Sequence, residues 1–242
     1  MSTQPDNRDA AGWARPVTHL TAADGHINVT GRRPTAPMNG FGRMWQKTYR
    51  TRVGEDSIEP TTVITVWKEH FSELWPTGNR FFAPLAGITP GEVAALDLAM
   101  PGGLKLSTGV LVLFADDESF TLMTPQGHMF AGWITFSAFA EEGSTYAQAQ
   151  VLMRAGDPLY EIGMSLGGHK QEDAHWSHTL TSLAGRFGAS EPVEVQSVCV
   201  DRRRQWSRAG NVWHNAGIRS GLHMASAPFR MLTRPFARGA KA

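Results

Sequence analysis

Polar and large side chains alternate along residues 44–53. Trp45, Lys47, Tyr49, Thr51 and Val53 share one parity, and Gln46, Thr48, Arg50 and Arg52 the other. A period of two is the signature of a half-buried strand. Glu59-Pro60 then opens a helix, because proline is tolerated in a first turn, and Val63, Trp67, Phe71 and Leu74 recur at steps of four, four and three before Pro76-Thr77-Gly78 ends it. After a loop containing Pro84, Gly87, Pro90 and Gly91, extended segments are predicted over 92–100, 107–115, 119–124 and 128–155, the last broken at Glu141-Glu142-Gly143. Asp116-Asp117-Glu118 and Pro125-Gln126-Gly127 are turn-length connections, whereas parallel strands need crossovers of about a dozen residues. The strands therefore form an antiparallel meander, and a doubly wound nucleotide fold is excluded.

Asp157-Pro158 reads as an N-cap followed by a first helical residue, and Gly167-Gly168 as the stop of that short piece. A longer helix is predicted over 170–187, with the apolar stripe Trp176, Leu180, Leu183 and Phe187, and a strand over 193–200. Beyond it Ile218, Leu222, Ala225, Phe229, Leu232 and Phe236 keep helical spacing, although Pro228 and Pro235 interrupt it. Residues 1–37 lack a sustained apolar period. The organisation is thus an irregular arm (1–37), an α+β domain (38–200) and a basic, partly helical tail (201–242).

Composition sharpens this division. The chain has 242 residues, 41% of them hydrophobic, enough for a sizeable core. Its net charge of +1 conceals a segregation: 201–242 holds nine basic residues and one acid, so the rest of the chain is net negative. Such a tail is expected to dock on the acidic body, with contact to an anionic membrane as the other option. Nucleic acid is the lesser expectation, since no recognised binding module accompanies Trp206, Trp213 and the arginines. A single cysteine, Cys199, excludes a disulfide scaffold, and Asp6, Arg8, Asp9 and Arg15 stand where a signal peptide would be apolar, which points to the cytoplasm.

The order strand, helix, antiparallel meander, long helix over 41–187 resembles the START-like or helix-grip family. That resemblance implies a curved sheet wrapped around the C-terminal helix and a cavity for a lipid, polyketide or other apolar ligand. The chain departs from the pattern by one strand too few before the long helix and by the strand and basic tail after it.

Parity sorts the hairpin 128–155 into two faces. One holds Phe130, Ile134, Phe136, Val151 and Met153, with the small residues Gly132, Ala138, Ala147 and Ala149, and is the core face. The small residues suit either a ligand or the close approach of a helix. The other holds Trp133, Thr135, Ser137, Tyr146, Gln148, Gln150 and Arg154. Aromatic area mixed with hydrogen-bonding groups suits ligand pockets, so Trp133, Tyr146, Gln148, Gln150 and Arg154 are the ligand-binding candidates, with Arg154 as counter-charge for an acidic ligand group.

Catalytic signals are sparse. Gly163-Met164-Ser165-Leu166-Gly167 fits G-x-S-x-G, but a nucleophile elbow needs a preceding strand, and here a proline-started helical turn precedes it. Around the long helix, taking Trp176 as zero, Glu172 lies near about −40° with the apolar stripe, while His175 near about −100° and His178 near about −160° point away from it, a poor metal arrangement. Glu172 at the helix mouth and His128 at a hairpin turn are the candidate acid–base groups for an enzyme on this scaffold, a cyclase, dehydratase or hydrolase. No motif for a nucleotide or metal cofactor is present.

Overall fold

The computed structural model describes residues 12–22, 27–55, 58–100, 103 and 105–226. In chain order the elements are β1 (Met44–Glu55), α1 (Pro60–Glu69), β2 (Arg80–Phe82), β3 (Val93–Ala99), β4 (Lys105–Ala115), β5 (Ser119–Met123), β6 (Phe130–Glu141), β7 (Ser144–Ala155), α2 (Pro158–Gly163), α3 (His169–Arg186), β8 (Glu194–Asp201) and α4 (Ala216–Ala225). The eight strands make one sheet in the order β2-β3-β4-β5-β6-β7-β1-β8, and every pairing is antiparallel.

The β6–β7 hairpin has the register that parity predicts: Ile134 opposite Val151, Phe136 opposite Ala149, Ala138 opposite Ala147. Its turn places Glu142 (φ 49°) and Gly143 (φ 75°) in the left-handed region, as a two-residue hairpin turn requires. One face of the sheet is the core face, where α1 packs over β6 and β7, and α3 over β1 and β7. The small residues Ala138, Ala147 and Ala149 are buried in that core beside Trp67, Phe71, Leu180 and Leu183. They admit helices rather than a ligand. Phe120 and Phe136 stack at 4.6 Å, with Trp67 and Phe71 edge-on to both. Each such ring, fully buried, stabilises the fold by roughly 1.5–3 kcal/mol.

Three boundaries differ from the pattern. The helix ends at Glu69, not at Leu74, yet Phe71, Leu74 and Trp75 remain buried, so their apolar spacing reports a packed turn as well as helix. The strand missing before the long helix is β2, three residues set in a Pro/Gly-rich loop and too short to carry a period. The described part of the N-terminal arm is irregular but packed: Ala14 and Leu113 share a backbone hydrogen bond, and Leu20, Ala22 and Val29 cluster with Leu111.

The described part of the basic tail lies against the body. The Gln205 backbone N–H donates to the Phe41 carbonyl (2.7 Å) and the Ala216 N–H to that of Gly127 (2.9 Å). Asn215 Nδ2 donates to Asp157 Oδ2 (2.7 Å), and Arg204 pairs with Glu161 at 3.0 Å. Trp206 and Trp213 stay 73% and 84% exposed. Phe229, Leu232 and Phe236 lie outside the described residues.

Candidate functional site

Between the core face and the approach to α3 lies a cavity of about 550 Å³. That is within the range of small-molecule sites, roughly 300–1,000 Å³. Strands contribute Leu96, Leu98, Val110, Leu122, Phe130, Ile134, Val151 and Met153; the helical side contributes Tyr160, Met164, Leu166, Glu172, His175 and Trp176; Trp75 and His128 come from loops.

The helical side is built by a chain of local rules. Asp157 caps α2 by accepting from the N–H groups of Leu159 (2.8 Å) and Tyr160 (3.0 Å). A π-helical turn, Met164–Gly168, then joins α2 to α3, and Gly167 takes φ 130°, which only glycine adopts without strain. This kink lets the chain run on into α3 where the sequence suggests a stop. Ser165 of the G-x-S-x-G match donates to the Glu161 carbonyl within that helical run (3.0 Å) and stands on no strand-to-helix elbow.

Glu172 is the electrostatic centre of the site. Its partner is Lys47 on β1, whose ammonium lies 2.9 Å from Oε2 and is 1% exposed. The hydrogen bonds of Lys47, however, run to Asp173 Oδ1 (2.7 Å) and the His169 carbonyl (3.4 Å), and the Tyr49 hydroxyl also donates to Asp173 Oδ1 (2.7 Å). The Lys47–Glu172 contact is therefore ionic in character, and both Glu172 oxygens are buried without a hydrogen-bond partner. Burial pushes the Glu172 carboxyl up to about 7 against the opposing pull of Lys47.

The two imidazoles of the cavity are neutral. Burial pushes His128 down to about 4, and its Nδ1 lies 3.0 Å from the Phe130 N–H and 3.2 Å from the Phe130 carbonyl. Burial, with His178 nearby, pushes His175 down to about 4 as well. His175 is packed against Trp75 at 4.8 Å, so a residue well off the helical stripe is nonetheless brought inward, by a side chain from the loop after α1. No group of three or more metal-ligating side chains occurs among the described residues.

Of the sequence candidates, Glu172, His128 and Trp133 border the cavity. Tyr146, Gln148, Gln150 and Arg154 do not; they lie, with Trp133, on the face of the sheet opposite the core face. There Arg50 lies over the Tyr146 ring at 3.9 Å and pairs with Glu141. Arg154 is 1% exposed and fully engaged, donating to the Gly42 carbonyl (2.6 Å), the Arg203 carbonyl (2.8 Å) and Asp201 (2.6 Å). It ties the start of the tail to β7 and has no contact with the cavity. Lys47 is the polar residue that sequence reasoning passed over, although a lysine sharing the parity of Trp45, Tyr49 and Val53 was a visible signal of a buried charge.

No family model matches the chain, and no curated protein does. Among solved structures the chain is similar to the di-domain ARO/CYC StfQ from the steffimycin biosynthetic pathway, with 10% identity over 63% of this chain and 54% of that one, at a TM-score of 0.47. It is also similar to a START superfamily protein from Mycobacterium smegmatis, with 20% identity over 61% and 98% of the two chains and a TM-score of 0.40. For Ara h 8.0201 the values are 10%, 59% and 97%, and 0.38. The matched region spans about half the length of StfQ. The fold itself is set by topology, a single antiparallel sheet wrapped around the long helix α3, with β2 supplying the strand absent from the sequence pattern. It is a helix-grip arrangement. In this chain the extra strand β8 extends the sheet beyond β1, and no helix among the described residues is long and apolar enough to cross a membrane.

Proposed function

We propose that the protein binds an apolar or amphipathic small molecule, a lipid, polyketide or aromatic compound, in the cavity between α3 and the sheet. The observation that carries this reading is a cavity of about 550 Å³ whose walls are mostly Leu, Ile, Val, Met, Phe and Trp, with a few convergent polar groups at the α3 side. Apolar walls supply affinity through area removed from water, while Glu172, His128 and His175 fix orientation. Native mass spectrometry of the purified protein, before and after solvent extraction, tests it. A stoichiometric hydrophobic adduct, or uptake of an added apolar probe that protects the protein thermally, is the expected result. A protein that carries nothing and takes up no apolar probe would sink the reading.

A second reading is favoured by one feature, the Glu172 carboxyl that burial holds near neutrality, where it can both accept and return a proton. On this reading the bound molecule is transformed by proton transfer, with His128 as an alternative base. Glu172→Gln would then abolish turnover of a bound ligand while leaving binding intact; unchanged turnover would refute it.

A further inference from the structure

The polar end of the cavity has a definite chemical preference. Among its described lining residues there is no lysine or arginine, and Glu172 is the sole carboxyl. Lys47, the nearest cation, is not a lining residue, and its ammonium is committed to Glu172, Asp173 and the His169 carbonyl. Glu172 Oε2 lies 2.9 Å from the Lys47 ammonium, while Oε1 is buried with no polar partner. An unsatisfied buried acceptor costs its full desolvation, roughly 1–3 kcal/mol and more when charged. A ligand that pairs with the ionised carboxyl must donate. An anionic head would instead meet a like charge in a low-dielectric site whose one nearby cation, Lys47, is already shared between Glu172 and Asp173.

We propose that the cavity selects ligands whose polar end is an uncharged hydrogen-bond donor, an alcohol or phenol, that Glu172 accepts this hydrogen bond, and that ligands ending in a carboxylate are excluded. The inference rests on the cavity being a ligand site. It replaces the acidic ligand group expected from Arg154, whose guanidinium is occupied on the other face of the sheet.

The test uses three probes sharing one ring system, 2-naphthol, 2-methoxynaphthalene and 2-naphthoate, titrated into the full chain at about pH 8, where the naphthol is neutral and Glu172 is mostly ionised. Quenching of cavity tryptophan fluorescence (Trp75, Trp176) gives the affinities, with calorimetry as a check. The naphthol is expected to bind at least about tenfold more tightly than the methyl ether, the value of one hydrogen bond to a charged group, and the carboxylate more weakly than either. In Glu172→Leu the naphthol and ether should bind within about twofold of each other. Should that variant fail to fold, Glu172→Gln, which removes the charge, should relieve the discrimination against the carboxylate. Equal binding of naphthol and ether by the native protein, or a preference for the carboxylate, overturns the donor rule while leaving the cavity reading intact. Failure of all three probes to bind overturns both.

Discussion

Lys47→Met is the most informative single perturbation, because it removes the cation between two carboxylates and changes little else in volume. Lys47 is 1% exposed and Glu172 4%, so their contact is desolvated; Asp173 is 34% exposed and partly screened by water. Leaving a buried charge without its partner costs up to about 3–5 kcal/mol, but Glu172 can take up a proton instead and Asp173 is partly exposed, so the expected loss near pH 8 is about 2 kcal/mol. The loss should depend on pH in one direction. Burial already raises the folded-state pKa of Glu172 to about 7, above its unfolded value, and Lys47 opposes that rise. Without Lys47 the folded-state pKa climbs further. The extra loss is thus absent below the native folded-state pKa of about 7 and grows as pH rises from there toward the higher folded-state pKa of the variant. Near pH 5 Glu172 is protonated and only the screened Asp173 is left unpaired, so the loss should shrink to about 1 kcal/mol. Guanidinium unfolding followed by tryptophan fluorescence, at the two pH values on native and variant protein, measures the difference. A Lys47→Met/Glu172→Leu double variant should recover most of the loss near pH 8, since a buried ion pair exchanges for apolar side chains at little net cost. A loss that is equal at both pH values, or below about 1 kcal/mol near pH 8, would refute the account of Glu172 as a buried carboxylate held by Lys47.

Further expectations follow from other contacts. His128 has a folded-state pKa of about 4, below its unfolded value near 6.5, so its contribution is full above the unfolded pKa and is lost as pH falls through the folded one, about 3 kcal/mol in all; His128→Asn, which keeps an acceptor for the Phe130 N–H, should show a flatter stability curve between about pH 4 and 6.5 in acid-titrated unfolding. Arg154→Ala should destabilise the protein by about 2–3 kcal/mol in a thermal or chemical melt, because it leaves the Gly42 and Arg203 carbonyls without their donor while Asp201 keeps Arg203, and should leave the affinity of the remaining folded protein for an apolar probe unchanged. Gly127→Ala would place a Cβ 2.1 Å from the His214 carbonyl at a residue with φ 92°; limited proteolysis should then cut within 206–216, where native protein resists, with a stability loss of at least about 1 kcal/mol.

Much of the frame was legible in the chain because it is governed by local rules. The two-residue turn at Glu142-Gly143 fixes the β6–β7 register, parity then fixes which side chains of the hairpin meet α1 and α3, and Asp157-Pro158 fixes the start of α2. The alternation that put Lys47 on the inward face of β1, and the helical angle that put Glu172 inward on α3, were likewise local. What local rules could not supply was the meeting of those two residues, 125 positions apart in sequence, which exists only because β1 joins the sheet beside β7 and lies under α3. The cavity required the same information: parity identifies an apolar face but not the stretch of it that helices leave uncovered. Ala138, Ala147 and Ala149 are covered, whereas Gly132, Val151 and Met153 on the same face line the space, because the π-helical turn and Gly167 displace the chain before α3 begins. Arg154 illustrates the converse. Sequence alone marked it as a free charge on a polar face, and tertiary structure spends it on the Gly42 carbonyl ahead of β1, Asp201 at the end of β8 and the Arg203 carbonyl just after it, since a buried cation persists only where its donors find acceptors.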